Sequence, residues 1–299
     1  MSDITIEHRP VSIVNRDGLR LAGDEWGDPA ANPVLLLHGG GQNRYAWAST
    51  ADKLARAGYF VLTVDARGHG DSEWDTEARY EMDDMGRDVH VLLERFDQRP
   101  HVVGASMGGM ASMIAQELAP DRQLFASVTL VDVTPRMEID GVARIMAFMT
   151  GNPEGFARLE DAADAIAEYN PHRARPKNLD GLRKVLRQRE DGRWHWLWDP
   201  RFMTSKPGFD GQDRQALESR MGEFANRLHA AASLLTVPTL LVRGALSDMV
   251  SEQSVAELLE AVPHARFVDV SGAGHMVAGD NNETFAAEII AFLGAADAA

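Results

Sequence analysis

The sequence predicts an α/β fold, with a mostly parallel central sheet, helices on both faces and a helical cap inserted after the sixth strand. Three observations predict it. Short, wholly apolar runs alternate with segments of helical period, as expected for strands buried on both faces. One long internal stretch breaks that alternation and carries helical patterns only. The pentapeptide Gly104-Ala105-Ser106-Met107-Gly108 sits where a strand pattern turns into a helix pattern.

The elements follow in order. Residues 11–14 and 19–22 flank Asp17-Gly18 and read as a β-hairpin. Val34-Leu35-Leu36-Leu37 is a buried strand, 50–57 a helix stopped by Gly58, and Phe60-Val61-Leu62-Thr63-Val64 the next strand. A helix is expected over 83–96, a strand over 101–103, a helix over 107–118 and a strand over 126–131. Between 134 and 235 the helical candidates are 142–149, 162–169, 179–189 and 215–235, with no convincing buried strand. Alternation resumes with a strand at 239–242, a helix at 251–261, a strand at 265–270 and a last helix at 282–293. A block of roughly 100 residues is too long for a simple connection. The expected division is therefore a core of 1–133 plus 236–299 and a cap of 134–235, which would roof a pocket at the carboxyl ends of the strands.

Composition narrows the function classes. The chain has 299 residues, 44% of them hydrophobic, and a net charge of −15. That balance argues against nucleic acid, which needs a basic footprint, and against anionic membrane surfaces. There is no cysteine, which excludes disulfides, thiolate catalysis and zinc-thiolate sites. The first residues carry neither a basic nor an apolar signal region, and no apolar run reaches transmembrane length, so a cytoplasmic protein is expected. A homodimer is left open.

A sharp strand-to-helix turn forces its central residue into strained φ/ψ and lifts that side chain clear of the sheet. An N-cap serine is the bland alternative. Its company decides against it, because serine becomes a nucleophile only with a base, an acid to orient that base, and donors for the oxyanion. The base candidate is His275, in the Gly-rich turn after the last strand. The acid candidate is Asp248, just past the penultimate strand, with Asp132 in reserve and otherwise read as structural or pocket-lining. The order Ser, Asp, His supports the assignment. Oxyanion donors are expected from the backbone of Met107 and of Gly40, with Gly41 second, in His38-Gly39-Gly40-Gly41. His38 is expected to brace this loop. Asp65-Ala66-Arg67-Gly68-His69-Gly70-Asp71-Ser72 reads as an architectural turn, with metal binding by His69 and Asp65 or Asp71 as the alternative.

These motifs, in this order and spacing, resemble the α/β-hydrolase fold superfamily over nearly the whole chain. The nearest resemblance is to capped serine hydrolases labelled peroxidase-like, haloperoxidase-like or carboxylesterase. It implies ester hydrolysis, with perhydrolysis as a side reaction in some members. Related epoxide hydrolases and haloalkane dehalogenases carry aspartate where this chain has Ser106. Carbon–carbon hydrolases often have asparagine where Ala105 stands.

In the cap, Trp194, Trp196 and Trp198 recur at every second position and share one face if extended. They read either as a pocket wall or as anchors of the cap. Met137, Met146, Met149 and Phe148 suit a pliable pocket or plain core. The expected pocket residues are Gly41, Asp132, Met146, Trp194, Trp196 and Met276. The expected activity is hydrolysis of a small or medium carboxylic ester or lactone through an acyl-enzyme on Ser106, without metal or organic cofactor. The alternatives are carbon–carbon hydrolysis of a diketone-like substrate and a slow-turnover ligand sensor.

Overall fold

The computed structural model describes residues 7–170, 175, 178–204, 214–271 and 283–298. The chain opens with an antiparallel hairpin, β1 (His8–Val14) and β2 (Arg20–Trp26), in which Ile13 faces Leu21. Its turn closes on Asn15, whose side-chain oxygen accepts from the N–H groups of Asp17 (3.0 Å) and Leu19 (2.8 Å). The strands β3 (Pro33–Leu37), β4 (Phe60–Val64), β5 (His101–Ala105) and β6 (Ser127–Val131) are buried throughout. They are joined by β9 (Thr239–Gly244) and β10 (Arg266–Val270). Among the described residues the sheet has eight strands in the order β1-β2-β4-β3-β5-β6-β9-β10, antiparallel at the hairpin end and parallel from β4 to β10.

The period of two in these strands divides the core into two layers. Val34, Leu36, Val61, Val103, Val131 and Val242 meet α1 (Ala48–Arg56) and α9 (Glu283–Asp297). Leu35, Leu37, Leu62, Val102, Leu130 and Leu241 belong to the layer of α2 (Met82–Leu93), α3 (Met107–Glu117) and α8 (Glu252–Ala261). A parallel sheet covered on both faces must be apolar on both, which is why these runs do not alternate with polar residues.

The block after β6 contains α4 (Ile139–Thr150), α5 (Leu159–Tyr169), α6 (Arg201–Thr204) and α7 (Arg214–Ser233). It also contains a feature that the helical expectation over 179–189 missed. Asp180–Lys184 is a short 3-10 helix, and β7 (Leu186–Gln188) pairs antiparallel with β8 (Trp194–Trp196). The Asp191-Gly192 turn, with Gly192 at φ +76°, folds the strands together and buries Leu186 opposite Trp196. Cross-strand burial thus overrides a weak helical period. The last turns of α7 do not roof the site. Leu228, Ala231 and Ala232 join the α2–α3 layer, and Arg227 binds Glu117 (2.6 Å) and Asp83. Among the described residues no helix is long and apolar enough to cross a membrane.

Candidate active site

Ser106 occupies the junction of β5 and α3 at φ +45°, ψ −111°. Among the described non-glycine residues only Ala78, Ser106 and Asp132 have positive φ, and such a conformation costs about 1–3 kcal/mol. The surrounding fold holds it there. The Ser106 N–H donates to Val131 O (3.0 Å), and its carbonyl accepts from the Met110 N–H (3.0 Å) as α3 begins. The flanking glycines are required by space. A Cβ on Gly104 would lie 2.5 Å from Gly109 N, and one on Gly108 would lie 2.4 Å from Leu37 O. The helix therefore approaches β3 and β5 closely enough to present the serine at the strand ends.

The loop after β3 lies beside it. An ideal Cβ on Gly39 would stand 3.5 Å from the Ser106 Cβ, and one on Gly40 would stand 4.0 Å from the Met107 sulfur. The amides of Gly40 and Met107 have no protein acceptor among the described residues. His38 is buried, with Nδ1 2.8 Å from Gly39 O and Nε2 accepting from the Ala66 N–H at 2.9 Å. A carbonyl can only accept and an amide only donate, so these partners select the neutral Nδ1–H tautomer. Burial, opposed by the Gly39 carbonyl and aided by the Arg44 charge, brings its pKa down to about 4. His38 is thus a brace between this loop and the one after β4.

The Asp65–Ser72 segment also lies close by, tying the core to the inserted block. Asp65 accepts from the Arg44 N–H (2.6 Å) and the Asp71 N–H (2.8 Å) and pairs with the Arg44 guanidinium, which also holds Asp24 and Asp71. Gly70 N–H donates to Leu197 O (2.6 Å), Asp199 N–H donates to Gly68 O (2.8 Å), and His69 bridges to Trp198. Asp65 and Asp71 are thus occupied by arginine rather than arranged around His69. Among the described residues no group of three or more histidine, aspartate or glutamate side chains could hold a metal ion.

Ser106, Gly40, Gly41, Met107, Met146 and Trp196 share one cavity of about 690 Å³, within the usual range for small-molecule sites. Nine of the chain's 13 methionines line it. The inserted block supplies an aromatic wall. Trp196 stacks on Trp198 (4.7 Å, 11°), and Phe148 stacks on Tyr169 (4.4 Å, 19°). Trp196 and Trp198 thus serve both as anchors and as wall. Trp194 is not among the lining residues. It stands at the outer end of β8 under the Arg183 guanidinium, 4.9 Å from the ring centre. At one end the lining turns polar, where the Asn43 side-chain amide donates to Lys184 O (2.5 Å) and the Lys184 ammonium lies over the Tyr45 ring.

The two acids differ. Asp132, at φ +49° after β6, is buried and does not line the cavity. Its carboxylate accepts from the Gly244 N–H (3.0 Å) and the Ser247 hydroxyl (2.6 Å), and the Ser247 oxygen accepts from the N–H groups of Met249 (3.1 Å) and Val250 (3.2 Å). It therefore shapes the loop that carries Asp248. Asp248 itself pairs with Arg144 of α4, and its neighbour Met249 lines the cavity. His275 and Met276 lie outside the described residues. Sequence reasoning missed Arg144, Tyr169 and Lys184, because nothing local relates them to residues far along the chain.

The alpha/beta hydrolase fold family matches residues 32–281. An esterase of Mycobacterium tuberculosis is 32% identical over 263 residues, covering 85% of this chain and 80% of that protein. A 3-hydroxybutyrate-oligomer hydrolase of Cupriavidus necator is 32% identical over 279 residues, covering 89% of this chain and 90% of that protein. Among solved structures, an alpha/beta hydrolase from Novosphingobium aromaticivorans superposes with a TM-score of 0.74 at 25% identity, covering 97% of this chain and 98% of that one. Ser106 on its strained turn, the cavity it opens into and these likenesses converge: the chain belongs to the α/β-hydrolase fold family and is a hydrolytic enzyme.

Proposed function

We propose that this enzyme is a serine esterase, cleaving small or medium carboxylic esters or lactones through an acyl-enzyme on Ser106. The observation that carries the reading is a strained serine opening into a 690 Å³ apolar cavity beside two amides with no described acceptor. In the proposed mechanism His275 takes the Ser106 proton as the oxygen attacks the ester carbonyl. The Gly40 and Met107 N–H groups receive the oxyanion. The tetrahedral species collapses, and the alkoxide leaves with the proton from His275. Water, deprotonated by the same imidazole, then attacks the acyl carbonyl and releases the acid, while Asp248 orients the imidazole and stabilises its cation.

The methionine and aromatic walls favour a flexible apolar acyl or alcohol group. At the polar end, the Lys184 ammonium stands 5.5 Å from the Tyr45 ring centre. An ester bearing a distal carboxylate, such as a short hydroxyacid ester, suits that end. The likeness to the 3-hydroxybutyrate-oligomer hydrolase supports the same class.

Ser106→Ala tests the reading. It should abolish both turnover of a p-nitrophenyl acyl ester and labelling by a fluorophosphonate probe, while leaving the thermal midpoint near that of the parent. Undiminished turnover in this variant overturns the proposal.

A further inference from the structure

The acid loop and the first cap helix are joined at three points one helical turn apart. The Glu138 N–H, just before α4, donates to Met249 O at 3.0 Å. Gly141 packs directly on the acid loop, where a Cβ would fall 2.5 Å from Asp248 O. Arg144 carries its guanidinium onto the Asp248 carboxylate. Spacing of three residues places 138, 141 and 144 along one side of the helix start. The contact is therefore a continuous seam rather than an isolated surface pair. The Asp248 side chain keeps 37% of its surface exposed and that of Arg144 52%. Such a pair adds little to stability, so its effect on the carboxylate matters more than its effect on folding.

We propose that Arg144 is a positioning residue for the reaction. It holds the Asp248 carboxylate from the cap side and limits how strongly that acid stabilises the imidazolium of the base. This inference rests on the triad reading proposed above. A carboxylate shared with a guanidinium offers less negative charge to an imidazole than one held by neutral groups. The base then gives up its proton at lower pH, and the cap, through α4, participates in setting the working range of the core.

The other charged and titratable groups around this carboxylate do not take that role. Tyr169 of α5 faces Asp248 and Arg144, and burial first, then the Asp248 charge, pushes its phenol up to about 12, so it stays neutral. Asp132 is turned to Gly244 and Ser247. Arg243 of β9 is bound to Asp269 (2.7 Å). On α4, Asp140 pairs with Arg214 (3.0 Å), and Glu138 contacts the loop through its backbone.

The test is the pH profile of kcat/KM for Ser106-dependent ester hydrolysis, measured for the parent, Arg144→Gln and Arg144→Lys, with thermal melts of each. Arg144→Gln should move the acidic limb upward by about half to one pH unit, a three- to tenfold loss of rate well below the midpoint. Arg144→Lys, which keeps the charge, should return the limb toward the parent position. The ring signals of labelled His275, titrated by NMR in the parent and Arg144→Gln, should shift in the same sense. A limb and an imidazole titration that stay in place in Arg144→Gln overturn the inference, even if activity falls uniformly or the melt drops. A parent profile with no acidic limb, together with a silent His275 titration, overturns the triad reading and the inference with it.

Discussion

The two sides of the cavity are built differently. On the nucleophile side, Ser106 is held by β5, α3 and the neighbouring strand through backbone hydrogen bonds, and the glycines around it leave no room for a side chain. On the Asp248 side, that carboxylate sits half-exposed on a loop after β9, and its partner Arg144 comes from the inserted block. The first arrangement can hold a strained residue in place because buried packing over-determines it. The second depends on a contact with the inserted block. The serine turn is thus built by the core alone, whereas the Asp248 loop is held in part by the inserted block.

The largest expected effect is on the nucleophile side. Gly108→Ala puts a methyl 2.4 Å from Leu37 O, a backbone atom that cannot swing away. Overpacking of this kind costs about 1–3 kcal/mol or more, so the variant should lose several degrees in its melting temperature along with nearly all esterase activity. A Gly108→Ala enzyme with parental melting and turnover would show that the elbow is less constrained than its glycine contacts imply.

A smaller effect concerns His38, the brace behind the loop after β3. Its folded-state pKa is lowered to about 4 from an ordinary value near 6.5. Between those values the unfolded chain binds the extra proton and the folded one does not. The stability that His38 contributes is thus present above pH 6.5 and is lost as pH falls toward 4. The difference corresponds to about 3 kcal/mol at most. Chemical denaturation at several pH values should show this loss in the parent and a shallower slope in His38→Gln. Equal slopes would remove the brace from the account of acid sensitivity.

The smallest effect belongs to the polar end of the cavity. Lys184→Gln should lower kcat/KM several-fold for esters with a distal carboxylate and leave neutral esters of the same length unchanged, which a matched substrate pair measures directly. Equal loss on both substrates would assign Lys184 to the structure of the cap rather than to selectivity.

Legibility in the sequence followed the range of the interactions. The buried strands could be read because a doubly covered parallel strand must be a short apolar run, as in Phe60–Val64. The Ser106 turn could be read because its spaced glycines mark a strand-to-helix turn where backbones approach closely. The bracing role of His38 could be anticipated from its place before three glycines, although its two backbone partners could not. The β7–β8 hairpin could not be read, since its burial depends on pairing Leu186 with Trp196 across a turn. That Asp132 is structural could be anticipated, although its partner Ser247, more than a hundred residues further along the chain, could not.

By itself the sequence determined the buried strands and the serine turn with its spaced glycines, because these follow from strand period and from the residue types a sharp turn requires. Only the tertiary structure decided that α4 lies on the Asp248 loop, that Arg144 pairs with its carboxylate, and which of the aromatic residues face the cavity. These contacts join segments about a hundred residues apart. Their energies come from packing and charge between elements, and no local pattern of residue types encodes them.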